Sequence, residues 1–461
     1  MANYKEPGVY LKVSNSSRGA YTSELPMYPL IIGTGSTKLK ATSLAVVRGQ
    51  AGTPDVLPYT TVDSITQISD LDGGSAKWVV TTDYALTTPN KITWVAGKGP
   101  APGETYYVNL VYLVESSQYD LRLCTGISDV IRQYGPDIQE NASGTVKPIC
   151  PVSLGAQLAI ESGAQNVYVL QVQASGAKPT AAEYIAALEK IRTVSAIWRI
   201  VPMNVDSSIS QAITAHVNTM SSPDERMERT AVYTVPYSDI VVPPTKFDTE
   251  RGVLSVIGGF ASSLSNKRIV VAYPDTATKF LSDGVKRELG GQYLMASFAG
   301  AEMAQPLQQS RTRMNLGKFQ ELGGVKMTRT QKNQLAQCGV MILEQDNVGG
   351  SIIVRHQLST DMSSTQSREI SLLHVQDYCA KAIRKTCEQF IGKYNITTET
   401  IQMLKGTIES ALNEFVRNGI IVSYAVGEIY QDEENPDAII ASISILPPYA
   451  CNYIDITMYV Q

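Results

Sequence analysis

The 461 residues are 43% hydrophobic and 18% charged with a formal charge of −4, a balance that suits a soluble multidomain chain and argues against a nucleic-acid or anionic-membrane binder, which needs a basic excess. Six scattered cysteines do not make a disulfide framework, and no apolar run approaches the ~18 residues of a membrane helix. The start, MANYKEP, lacks the apolar stretch of a signal peptide, so a cytosolic chain with reduced thiols is expected, and the length predicts two to four domains.

The first element is a short strand over residues 9–13. Val9, Leu11 and Val13 alternate with Tyr10, Lys12 and Ser14, directly after Pro7-Gly8. A polar stretch then runs to Pro26. Fully extended, residues 14–27 span at most ~50 Å, enough to carry the strand to a neighbouring molecule. Residues 29–33 (PLIIG) read as a buried strand that ends at a glycine.

Between 37 and 122 the character changes to Val, Thr, Tyr and Trp with recurrent turns. Segments 44–48, 62–68, 76–81, 91–95 and 105–114 are predicted strands of an inserted β-sandwich or barrel-like domain. From 123 to 325 helix and strand alternate: helix 154–162, strand 167–172, helix 182–193, strand 196–201, helix 209–220, strand 231–235, helix 250–264, strand 268–273. This alternation predicts an α/β layer with a mostly parallel sheet, which also includes residues 29–36.

Residues 326–446 are expected to form an α+β unit with helices over 370–390 and 398–417, the second closed by Asn418-Gly419, then a hairpin of strands 420–430 and 438–446. After Pro447-Pro448 comes a last alternating run. Ile454, Ile456, Met458 and Val460 interleave with Tyr453, Asp455, Thr457 and Tyr459. Fixing a backbone residue costs ~1–2 kcal/mol, so two strand-patterned ends need partners. Partners on neighbouring subunits would make this a polymer-forming protein, a reading that 24 tyrosines against 7 phenylalanines supports weakly.

Catalytic chemistry is hard to place. The three histidines, His216, His356 and His374, belong to no triad motif and read as packed or surface residues. His374, Cys379 and Cys387 are spaced by five and eight on one helix, which does not stack metal ligands on one face. Residues 33–38 (GTGSTK) lack the spacing of a phosphate loop and read as a turn. No cofactor is expected. Two basic groupings remain: Lys381, Arg384 and Lys385 on the polar side of helix 370–390, and Arg311, Arg313 and Lys318 in a loop. Each is a solvated face or a contact for an acidic partner protein.

The order of several segments resembles that of tail sheath proteins of contractile phage tails and related injection machines. The segments are residues 4–11 (YKEPGVYL), 29–35 (PLIIGTG), 158–172 (LAIESGAQNVYVLQV), 322–335 (LGGVKMTRTQKNQL), 373–378 (LHVQDY) and 443–456 (ISILPPYACNYIDI). Residues 248–260 depart from the resemblance, since they lack a tryptophan-bearing motif. It covers most of the chain except the 37–122 insertion and implies a structural, non-enzymatic virion protein of the contractile tail, assembled in the host cytoplasm, with a subtilisin-like α/β core lacking proteolytic residues, a C-terminal domain, and extended arms over 1–28 and 447–461. The resemblance further implies hexameric rings stacked helically around a tail tube, ended by baseplate and terminator proteins, with neither nucleic acid nor membrane as partner, and contraction driving the tube through the host envelope. Arm residues would be Val9, Tyr10, Leu11, Val13, Tyr453, Ile454, Ile456, Met458 and Val460, adding as strands to a neighbour's hairpin. Lys381, Arg384 and Lys385 are candidates for the tube contact. The alternatives are a hydrolase-type enzyme, for which no acid–base pair can be named, and a tube or baseplate component, expected to be shorter or to lack an arm.

Overall fold

Leu30, Ile31 and Ile32 are all fully buried, Leu30 and Ile32 in one apolar cluster and Ile31 in another. Successive strand side chains point to opposite faces, so a strand apolar at every position is one covered on both sides. In the computed structural model, which describes residues 25–114, 119–139, 147–176, 178–234, 250–317 and 319–459, this strand, Tyr28–Gly33, lies within an eight-stranded sheet. It pairs in parallel with Val167–Gln171 on one side and Ile197–Pro202 on the other. The sheet continues through Thr230–Tyr233, Ile269–Tyr273 and Val340–Gln345, all parallel. Short antiparallel strands, Arg122–Cys124 and Ile352–Val354, close its two edges.

Helices cover both faces. Ile127–Tyr134, Pro151–Glu161 and Gly291–Met303 contribute to one cluster, and Ala181–Glu189, Ser207–Met220 and Arg329–Gln337 to the other. Helix starts follow capping chemistry. Asp206 accepts from the Ile209 amide, and Thr180 with Glu183, like Thr328 with Gln331, forms a reciprocal capping box. Gly300 lets Gly291–Met303 lie directly on Pro151–Glu161, because a Cβ there would collide with the Ala159 carbonyl. The helix expected over 250–264 is interrupted: Leu254–Gly258 is a π-helical turn between Glu250–Val253 and Gly259–Leu264.

The insertion holds two three-stranded antiparallel sheets. Lys38–Val47, Thr105–Leu113 and Val62–Ser69 form one, and Asp55–Val56, Lys91–Trp94 and Tyr84–Thr87 the other. Their shared core includes Ile68, Tyr84, Ile92, Trp94, Tyr106 and Val108. Asp55 organises it, accepting from the Gly49 amide at 2.7 Å, Trp94 Nε1 at 2.8 Å, the Tyr106 hydroxyl at 2.8 Å and Arg48 at 3.3 Å. The strand expected over 76–81 is corrected here. Only isolated bridges at Trp78 and Val80 occur, because Thr81 turns back with φ +70° and Asp83 accepts from the Val79 amide, moving the strand to Tyr84–Thr87.

The boundary expected at 325/326 also moves. Val340–Gln345 and Ile352–Val354 belong to the eight-stranded sheet, and Ile352, Val354 and Ile370 lie in its core. The C-terminal unit has its own cluster, in which Val375 and Cys379 of the helix Ile370–Cys387 meet Leu404, Ile408, Leu412 and Phe415 of Thr398–Arg417. The hairpin Ser423–Gln431 with Ile439–Leu446 packs on these helices.

Candidate assembly surface

The hairpin's alternation places Tyr424, Val426, Ile429, Ile443 and Ile445 against the helices. On the other side Tyr430, Ile440 and Leu446 are each at least two-fifths exposed, together with Ala425, Ser442 and Ser444. A register shift between Val426 and Ile429 bends the first strand. Among the described residues, no third strand joins this two-stranded sheet. Both outer edges therefore present backbone donors and acceptors without a ladder partner.

Beyond the hairpin, the chain first docks and then departs. Gln366 Nε2 donates to the Tyr449 hydroxyl at 2.9 Å, Asn452 Nδ2 donates to Glu369 at 3.0 Å, and the Tyr453 ring stands edge-on to His356 at 6.3 Å. The strand expected over 453–460 does not form within the described part of this segment. Residues 451–459 lie outside any ladder, and Ile454, Ile456, Met458 and Tyr459 are 76–86% exposed. The physical reason is that a strand requires a partner, and none of the chain's own described segments supplies one here. Val9, Tyr10, Leu11, Val13 and Val460 fall outside the described residues.

The basic residues of the helix Ile370–Cys387 divide. Lys381 Nζ donates to the Ser195 and Glu228 carbonyls at 3.1 and 3.4 Å, and burial pushes its ammonium down to about 8. Arg384 pairs with the Glu228 carboxylate and donates to the Arg226 carbonyl. These two charges bind the α/β body of their own chain. Lys385 alone of the three is exposed. Of the other grouping, Arg311 is fully buried, which corrects the solvated reading for that residue, Arg313 is exposed, and Lys318 falls outside the described residues.

Sequence reasoning missed the polar junction beneath this helix. Trp198 and Arg199 interrupt an otherwise apolar strand, IWRIVP. Arg199 makes a two-pronged pair with Glu302 at 2.7 and 2.8 Å, its guanidinium 4.4 Å from the Trp198 ring centroid. Trp198 stacks on His374 at 3.9 Å and donates Nε1 to Asp377 at 2.9 Å, and Arg268 grips the same carboxylate at 2.8 and 2.9 Å. A buried charge needs an ion partner and hydrogen bonds, and each of these has both. A tryptophan–arginine pair inside an apolar run was the available signal.

Buried arginines fix two of the histidines. Arg311 Nη2 donates to His374 Nδ1 at 3.0 Å and Arg229 Nη1 donates to His216 Nε2 at 2.6 Å. A guanidinium has only donors, so both rings accept and stay neutral. Burial, then the neighbouring arginines, pushes His374 well below its ordinary range and His216 down to about 3. Such rings are poor bases near neutrality. His356 instead faces Glu369 at 2.8 Å. Among the described residues, no group of three His, Cys, Asp or Glu is placed to hold a metal, no helix is long and apolar enough to cross a membrane, and all six cysteines are unpaired.

Residues 363–461 match the phage tail sheath C-terminal domain family, and residues 5–128 match a domain of unknown function (DUF4815). Over 421 residues the chain is 27% identical to a tail sheath protein of Mycobacterium phage Bxz1, a match covering 90% of this chain and 67% of the relative. Its fold is similar to the contracted helical sheath of the anti-feeding prophage, with TM-score 0.58, 12% identity and 99% of both chains covered. It is similar too to the contracted sheath of the PVC extracellular contractile injection system, with TM-score 0.55, 11% identity, and 100% of this chain and 98% of that one covered. The resemblance read from the sequence is borne out: the chain is similar to tail sheath proteins and has a mixed α/β, multidomain, several-sheet fold.

Proposed function

We propose that this chain is the structural subunit of a contractile sheath and that it polymerises through its C-terminal hairpin and extended ends. The observation that carries the reading is the coexistence, in one C-terminal unit, of a hairpin open at both edges and an exposed extended segment with the side-chain period of a strand. Each is the complement of the other, and they combine between molecules.

Energetics explain why copy number matters. A backbone hydrogen bond adds ~1 kcal/mol net and a fully buried Ile or Met ~1.5–3 kcal/mol, against ~1–2 kcal/mol per residue to order the arm. One six-residue arm is near balance. Many arms in a closed lattice are not, and the resulting woven sheet holds while rigid bodies rearrange around it. In this reading subunits stack as hexameric rings around a tail tube, between baseplate and terminator proteins, within the virion after assembly in the host cytoplasm. The α/β body serves as a subtilisin-like scaffold without turnover, the 1–28 segment acts as a second arm, the insertion faces outward, and Lys385 is the remaining candidate for the tube contact.

Electron microscopy of the purified full chain tests this. Tubular or ring-shaped polymers are expected. Particles that remain monomeric at every concentration and ionic strength, in the presence of a tube from the same source, would contradict it.

A further inference from the structure

We propose that the chain around 449–453 is a clamp that holds the root of the C-terminal arm against the body and keeps the arm from folding back on its own hairpin. The inference rests on the preceding reading that the arm pairs with another copy. The difficulty it resolves is local. Only residues 447–452 separate the strand Ile439–Leu446 from the arm, a connection close to the length that ordinarily joins antiparallel neighbours. Consecutive strands pair with each other in roughly two-thirds of cases. The nearest open edge for the arm is therefore that of the strand it has just left. A subunit closed in this way would satisfy its own edge and have none to offer.

The structure shows a different path. Pro447 and Pro448 have no backbone N–H and cannot begin a ladder. The chain then crosses to the segment between the sheet's edge strand Ile352–Val354 and the helix Ile370–Cys387, where three contacts receive it. Asn452 Nδ2 donates to Glu369 Oε1, Gln366 Nε2 donates to the Tyr449 hydroxyl, and the Tyr453 ring meets His356 edge-on. Glu369 is a prepared acceptor: it is 2% exposed, with one carboxylate oxygen facing His356 Nε2 at 2.8 Å and the other accepting from Gln357 Nε2 at 2.8 Å. A hydrogen bond to a fixed, buried carboxylate is among the stronger neutral-to-charged kinds. The contacts end at Tyr453, and every described side chain beyond it is exposed. The free arm thus begins at Ile454 rather than at the prolines.

The test uses the full chain as unassembled subunits. Spin labels are placed at Ser442→Cys on the second hairpin strand and Met458→Cys on the arm, with Cys338, Cys387 and Cys451 replaced by serine to restrict labelling. Neighbouring strands lie ~4.8 Å apart, so a folded-back arm adds a short-distance population. Asn452→Ala, at a half-buried position, with Tyr449→Phe, at an exposed one, both outside either core, is expected to raise that population about tenfold or more over the parent, the scale of losing a hydrogen bond to a charged group, and to lower polymer yield. An unchanged distance distribution, or a short population already dominant in the parent, overturns the clamp. Deleting residues 454–461 separates the two readings: if the deletion still polymerises normally, the arm model itself fails, whereas if it does not and the clamp variant matches the parent in distance and yield, only the clamp fails.

Discussion

The eight-stranded sheet and the C-terminal hairpin treat their edges in opposite ways. At each margin of the large sheet a three-residue antiparallel strand ends the ladder, and helices cover both faces. The hairpin offers strands of nine and eight residues whose outer edges no described strand joins, a solvent-facing side carrying Tyr430, Ile440 and Leu446 among small polar residues, and an exposed strand-patterned segment after it. Short edges are how a soluble protein avoids joining its neighbours. The chain thus protects the edges of one sheet and leaves those of the other without a partner among the described residues.

The contrast can be broken at its closed end first. Replacing Arg199 with Met leaves Glu302 buried beside Arg311 alone, and a broken buried pair of this kind costs ~3–5 kcal/mol. Urea unfolding should show a loss of that size. A change under ~1 kcal/mol would mean that the junction does not hold the body together.

Acid sharpens the same point. His216 is held neutral in the folded chain down to about 3, whereas unfolded it takes up a proton near its ordinary 6.5. Its contribution is complete above about 6.5 and is lost as the pH falls, by ~2 kcal/mol at pH 5 relative to pH 7. His374, shifted in the same direction, adds to the loss. Unfolding at both pH values, with His216→Gln as the comparison, should show a smaller pH dependence in the variant, since the Gln oxygen still accepts from Arg229. Equal dependence would assign the acid sensitivity elsewhere.

At the open end, stability and assembly should part company. Ile440→Ser on the exposed hairpin face should alter subunit stability by less than ~0.5 kcal/mol while reducing polymer yield several-fold. Loss of both together would mark Ile440 as part of the subunit's own core. The smallest expected effect on stability is at exposed Lys385, where charge reversal to Glu should leave unfolding unchanged within ~0.5 kcal/mol. Assembly on a tube is the discriminating measurement there, with a decrease expected and no change removing Lys385 as a contact.

Much of the molecule was legible where one rule governed one segment. Amphipathic period and capping signals gave the helices near 370–387 and 398–417, and alternation gave the hairpin. Legibility failed where distant residues decide. The helix Gly291–Met303 is buried almost all round and so has no apolar stripe to read. Val340–Gln345 follows the body in space but the C-terminal unit in sequence, and only its pairing with Ile269–Tyr273 reveals this. Lys381 and Arg384 sat on the polar side of their helix as expected, yet what that side faces, Glu228 and the carbonyls beside it, is a tertiary fact. For residues 453–459 the period of a strand was plain, but no described segment of the chain pairs with it.

The most direct test is to delete residues 454–461 and compare the subunit with the parent by unfolding and by electron microscopy. The same unfolding midpoint is expected, since those described side chains touch no core, together with loss of ordered polymers. Normal polymers from the shortened chain would contradict it.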